Sequence, residues 1–226
     1  MKNEHKTLLR QLAVPAIILV GMWLVFGVEW LTGKSFSFLG ILPRKLAGLP
    51  GIVLSPFIHG DLGHITSNSI PIFVLSAGLF IFYQKIAGQV LSILWLGTGI
   101  WVWIAARSSF HIGASGLVYA LVFFLFFSGV FRKETQSMAI ALIVALFYGS
   151  AVWGILPIQE GVSWESHLFG ACVGTIVAFF FRKSGPQRKT YDWEEESEEE
   201  EPRDAIEPWN YRTLFPPPDG FTYPPK

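Results

Sequence analysis

The sequence predicts an all-α, polytopic membrane protein with a bundle of six transmembrane helices, and three observations carry that class. Hydrophobic residues make up 51% of the 226 and charged residues only 15%, against about 25% charged in an ordinary soluble domain. Twenty Phe and nine Trp are more than one small aqueous core can bury, so much of this apolar surface must face lipid. Stretches free of charge, save for Glu29 near the end of the first, recur six times before residue 189, and because a charge at the bilayer centre is costly, the charges mark the span boundaries.

The stretches run from Leu12 to Leu31, Gly63 to Gln84, Gly88 to Ala106, Ser115 to Phe131, Ser137 to Leu156 and His167 to Phe181. Each supplies about 15 to 22 residues, and at about 1.5 Å rise per residue most can cross a hydrocarbon core about 30 Å thick; the two shortest start below the surface. Lipid offers the backbone no hydrogen bonds, so the spans are helices or strands of a closed barrel, and runs such as Leu121 to Phe127 lack the alternation of barrel strands. If six helices alternate, Lys2, Lys6, Arg10, Lys85, Arg132, Lys133, Arg182 and Lys183 share one side, against Lys34, Arg44, Lys45 and Arg107 on the other. This bias places both termini in the cytoplasm. The connection from Thr32 to Leu62 is then extracytoplasmic and long for a helix connection. Its Ile41, Leu42, Leu46, Leu49, Ile52, Val53, Leu54 and Phe57 are too apolar for water, so it is expected in the membrane interface as a short helical or re-entrant segment packed on the bundle.

The formal net charge of zero averages two unlike regions. Residues 1 to 189 carry 14 Lys or Arg against 6 Asp or Glu, net +8, while residues 190 to 226 carry 3 against 11, net −8. Glu194 to Glu196, Glu198 to Glu201 and Pro216 to Pro218 oppose a packed core, so this end reads as a disordered tail. Trp209, Tyr211, Leu214, Phe215, Phe221 and Tyr223 leave open a docking peptide whose partner the sequence does not name. The expected organisation is a cytoplasmic N-terminus over 1–11, a membrane domain over 12–183 and an acidic, Pro-rich cytoplasmic tail over 184–226. The single Cys172 excludes an intramolecular disulfide.

Polar residues converge at one depth. Asn68 lies 17 residues from Lys85, Ser115 lies 17 from Arg132 and His167 lies 15 from Arg182, which corresponds to roughly 25, 25 and 22 Å from one boundary. His64 sits one helical turn above Asn68 on the same face. Such groups are expensive in hydrocarbon unless they share a polar or watery site. The run Gly113-Ala114-Ser115-Gly116 places a hydroxyl at a loop-to-helix junction with little bulk beside it, where free amide hydrogens can stabilise an oxyanion; the same small residues also suit close helix packing. His167, Gly170, Ala171, Gly174 and Ala178 form a small-residue face beneath a histidine. If that face meets the Ser115 helix, the imidazole reaches the hydroxyl as a general base, with Tyr119 packed against it. Asp61 lies above its span and Glu160 and Glu165 in the last outer loop, so a dyad is expected rather than a triad. His64 and Asn68 are candidate oxyanion donors or interhelical hydrogen-bonding groups. His59, His64, His111 and His167 lack HExxH spacing and an acidic ligand, so no metal is expected.

Taken together, His64-x-x-x-Asn68, Gly113-Ala114-Ser115-Gly116 and His167-x-x-Gly170-x-x-x-Gly174, with His59 five residues before His64 and Tyr119 four after Ser115, resemble the rhomboid intramembrane serine proteases from Leu12 to Phe181. The first loop, Gly40 to Arg44 and Ser55 to Phe57, looks like a form common in bacterial members, without the Trp-Arg pair of others. The resemblance implies Ser115 as nucleophile, His167 as general base and acid, and an oxyanion hole from His64, Asn68 and the Ser115 amide. It also implies transmembrane protein substrates entering past the second and fifth spans, cleavage near the extracytoplasmic boundary, and a bacterial inner-membrane location. No cofactor and no nucleic-acid partner are expected. A noncatalytic client-binding relative and a transporter are the competing readings.

Overall fold

The computed structural model describes residues 2–158 and 161–185, with side chains from residue 8 onward. The chain divides into two units, residues 1–188 and 189–226. The expectations for the acidic tail and for Glu160 lie outside the described residues.

Seven α-helices and no strand are present among the described residues: α1 (Lys2–Thr32), α2 (Gly51–Leu54), α3 (Leu62–Phe82), α4 (Ala87–Ala105), α5 (Ser115–Arg132), α6 (Thr135–Tyr148) and α7 (Trp164–Phe180). Among the described residues, five elements are long and apolar enough to cross a membrane: α1, α3, α4, α5, and α6 together with the 3-10 segment Gly149–Ile155 that continues it. The sixth expected span, α7, is a shorter apolar helix of 17 residues. At its helical rise that gives about 26 Å, just under a hydrocarbon core.

Several boundaries differ from the expectation: α1 already begins at Lys2, ten residues before the expected Leu12. The fifth stretch is α-helical only to Tyr148, then winds more tightly; 14 residues at about 1.5 Å and 7 at about 2.0 Å still reach roughly 35 Å. In addition, α7 begins at Trp164, so Glu165 belongs to its first turn rather than to the outer loop. The reason is neutralisation: Glu165 is buried and lies 3.4 Å from the Arg107 guanidinium.

Side-chain caps start α3 and α6. Asp61 accepts from the His64 amide at 2.8 Å, and Glu134 accepts from the amides of Gln136 and Ser137, satisfying donors that a first helical turn leaves free. Lys133, at φ 53, turns the chain from α5 into α6.

Helix α5 is the centre of the bundle. Of its apolar window 67% is buried, against 17% for α6, which leaves α6 at the periphery. Its most extensive partner is α7. A Cβ added at Gly170 would run into the Gly116 carbonyl, and one at Gly174 into the Ala120 carbonyl and the Phe124 amide. The two backbones are therefore in direct contact, as small residues permit.

The segment between α1 and α3 folds as expected into short helical pieces packed on α4. Ile41 and His111 exchange backbone hydrogen bonds of 2.9 Å, and a Cβ at Gly99 of α4 would strike Ile52. Arg44 donates to the carbonyls of Ala106 (2.7 Å) and Ile104 (3.2 Å) and to Ser108 Oγ, placing a cation on the free carbonyls at the end of α4. Leu46 and Val53 remain exposed on its outer side.

Candidate active site

Ser115 is the first residue of α5, and the turn before it depends on Gly113 at φ 97. That conformation is open to glycine and strained for other residues. Gly113 also meets a neighbour, because a Cβ there would overlap the His64 ring. The backbone of the junction is held from two sides: the Gly113 amide donates to the Ser55 carbonyl at 2.9 Å, and the Ala114 amide to His59 Nε2 at 3.4 Å.

Ser115 Oγ lies 2.8 Å from His167 Nε2. The other ring nitrogen, Nδ1, lies 2.8 Å from the Gly154 carbonyl. A carbonyl can only accept, so Nδ1 carries the proton, and in the neutral ring Nε2 is left to accept from the Ser115 hydroxyl. The Tyr119 ring stacks on the imidazole with centroids 4.1 Å apart and planes 3° from parallel. His167 is thereby held on its face and at both nitrogens. Gly170 and Gly174, one and two turns further along α7, allow the backbone approach that brings α7 this close to α5.

His64, Asn68, Ser115, Tyr119 and His167 line one cavity of about 920 Å³. Asn68 is buried and donates one amide hydrogen to the His64 carbonyl at 2.8 Å, which leaves its second for the cavity. His64 stands edge-on to His59, with ring centroids 4.9 Å apart. Burial, reinforced by His64, lowers the pKa of His59 to about 4 despite the Phe57 carbonyl and Asp61, which act the other way. His59 is therefore neutral near pH 7, as accepting a hydrogen bond at Nε2 requires.

Of the four histidines grouped by sequence, His111 lines the same cavity as Ser115, but its ring bonds to neither Ser115 nor His167. It bonds to Ser163 Oγ (2.5 Å) through Nδ1 and to the Arg107 carbonyl (3.0 Å) through Nε2, and burial pushes its pKa down. No group of three or more His, Cys, Asp or Glu suited to a metal ion occurs among the described residues. The Gly154 carbonyl is the contributor that sequence reasoning missed. Backbone acceptors carry no residue signature; the one available sign was a glycine inside the apolar run Ala151-Val152-Trp153-Gly154-Ile155-Leu156.

A hydroxyl donating to an oriented neutral imidazole, with amide donors beside it in a cavity, is an arrangement able to perform nucleophilic acyl transfer. A family model, the Rhomboid domain, matches residues 47–184. A Mycobacterium tuberculosis (strain H37Rv) protein named as uncharacterized is 33% identical over 182 residues, covering 74% of this chain and 73% of its own. A Mycobacterium leprae protein, likewise named as uncharacterized, is 33% identical over 183 residues, covering 75% and 70%. A Bacillus subtilis protein named "Putative rhomboid protease YdcA" is 25% identical over 128 residues, covering 54% and 62%.

Proposed function

The chain belongs to the rhomboid family, and from that membership we propose that it is an intramembrane serine endopeptidase acting on transmembrane proteins through a Ser115–His167 dyad. The observation that carries the reading is the 2.8 Å contact between Ser115 Oγ and His167 Nε2. Ser115 Oγ attacks a substrate carbonyl carbon while its proton passes to Nε2. The oxyanion is met by the Ser115 amide, His64 and Asn68 Nδ2. Nε2–H then protonates the leaving amine as the C–N bond breaks, leaving an acyl ester on Ser115. A water molecule, deprotonated by Nε2, hydrolyses the ester and restores the hydroxyl. The Gly154 carbonyl holds the ring in its tautomer throughout, the orienting task that a carboxylate performs in a triad.

The chain is an integral membrane protein by its apolar helices and its family. Within the proposal, the charge bias places both termini in the cytoplasm and Ser115 toward the extracytoplasmic face of a bacterial inner membrane. Residues 12–183 form the catalytic domain, flanked by cytoplasmic segments 1–11 and 184–226. Lipid surrounds the domain, and substrates are membrane proteins whose segment unwinds near that face, because an intact helix hides its carbonyls.

The test is cleavage of a model transmembrane substrate by purified protein in liposomes. Ser115→Ala and His167→Ala are each expected to abolish turnover while thermal unfolding stays unchanged. The double variant is expected to be no worse than either, since the two groups act as a unit. Near-normal turnover in folded Ser115→Ala would overturn the reading.

A further inference from the structure

The two chain segments that present Ser115 and His167 are cross-linked by a second set of polar contacts outside the dyad. One segment is the α4–α5 connection, with Arg107 and His111; the other is the entry to α7, with Val162, Ser163 and Glu165. Arg107 Nη1 lies 3.4 Å from Glu165 Oε2, Arg107 Nη2 donates to the Val162 carbonyl at 2.9 Å, and the Arg107 amide faces Glu165 Oε1 at 3.4 Å. His111 gives its Nε2 hydrogen to the Arg107 carbonyl, so Nδ1 accepts from Ser163, and Ser163 Oγ in turn accepts from Ser166 Oγ at 2.6 Å. His111 is further fixed through its backbone to Ile41.

On the protease reading given above, we propose that Arg107 and Glu165 are positioning residues: their ion pair, braced by His111 and Ser163, sets the distance between the Ser115 junction and the start of α7, and hence the serine–histidine geometry. Neither residue touches the reacting atoms. Arg107 lies eight residues before Ser115 and Glu165 two before His167, so a shift at the pair moves both partners of the dyad. Displacements of about 1 Å at such a site cost up to about 100-fold in rate.

The burial of the two partners is unequal, with 48% side-chain exposure for Arg107 and 6% for Glu165. Removing the arginine strands a buried carboxylate, whereas removing the carboxylate leaves a cation that water can solvate. Arg107→Gln is therefore the more damaging single change, and Glu165→Gln the milder. The double variant, with no charge left unmatched, recovers most of the loss.

The experiment measures the rate at which a fluorophosphonate labels Ser115 in folded, liposome-embedded protein, together with kcat and KM on a model transmembrane substrate and with thermal unfolding. Arg107→Gln is expected to slow labelling about tenfold or more and Glu165→Gln by less, with kcat falling and KM nearly unchanged, while the double variant returns to within about threefold of the parent. Labelling at the parental rate in both single variants, or losses that merely multiply in the double, would overturn the positioning role. So would labelling of the folded fraction that stays constant while only the unfolding temperature drops, which is the mark of a purely structural pair. Parent protein that resists the label and loses nothing in Ser115→Ala would overturn both the protease reading and this proposal, whereas a reactive parent with unaffected variants overturns this proposal alone.

Discussion

At the scale of single residues, His64 and Asn68 owe their proposed importance to direction rather than bulk. Both line the cavity of Ser115, and Asn68 has one amide hydrogen uncommitted after its bond to the His64 carbonyl. Donors aimed at an oxyanion interact most with charge that exists only in the transition state. Asn68→Ala and His64→Ala are therefore expected to lower kcat more than they raise KM, with a ceiling of about 2.7–4 kcal/mol, the cost of one lost donor in a soluble hydrolase. Unchanged kcat in both folded variants would return them to a helix-packing role. His59 makes a different prediction. Its pKa, lowered from 6.5 to about 4, means the unfolded chain binds more protons between those values. The stability it contributes is complete above about pH 6.5 and is lost as pH falls toward 4, by up to roughly 3 kcal/mol. His59→Gln, which keeps an acceptor for the Ala114 amide, is expected to flatten part of that slope. Thermal unfolding in detergent at pH 7 and pH 5 checks it, and an unaltered slope would count against the buried neutral imidazole.

At the scale of elements, the α5–α7 contact and the α6 extension are opposite extremes of packing. Gly174→Ala drives a methyl into the α5 backbone, which has no flexible end to yield. Overpacking of a close core typically costs about 1–3 kcal/mol, and this site is expected at or above that range. Gly149→Ala, with nothing within 4 Å of the added carbon, is expected to leave the unfolding temperature within a degree or two. Equal effects at the two positions would show that the α5–α7 backbones are not in contact. The boundary of α5 was legible in sequence because Arg132 ends the apolar run where the helix itself ends. The start of α7 was not. Glu165 reads locally as a loop charge, and its neutralisation comes from Arg107, 58 residues earlier, which no local pattern encodes. The tightening of α6 at Gly149 was equally hidden, since apolar content alone does not separate α from 3-10 winding.

For the whole molecule, a single solvent preference organises the fold. Lipid forbids stray charge and unpaired backbone, so the spans and the shared level of Asn68, Ser115 and His167 could be counted from cationic boundaries. Which faces meet could not, because in lipid most faces of a helix are apolar; the small residues on α7 and at Gly113 to Gly116 pointed to close packing without naming the partner. The proposed separation of the catalytic domain from residues 190–226 carries its own prediction. Deleting that segment is expected to leave cleavage of a model substrate by the purified protein unchanged, because every residue assigned to the reaction precedes it. Altered processing in cells with unaltered purified turnover fits a tail that selects partners. A large loss of purified turnover, with the helical core still folded, would show that the tail belongs to the enzyme.

The carbonyl that steadies His167 comes from the main chain at Gly154, and this bears on what a genetic screen of the protein can find. No codon change deletes a peptide oxygen. A saturating screen for inactive alleles is therefore expected to recover Ser115 and His167 but no acidic residue in contact with the His167 ring. Position 154 should surface all the same, for another reason: every replacement adds a carbon that collides with the Tyr119 hydroxyl and crowds His167 Nδ1. Its inactive alleles would include alanine, the mildest replacement there is, and none would be rescued by restoring a charge.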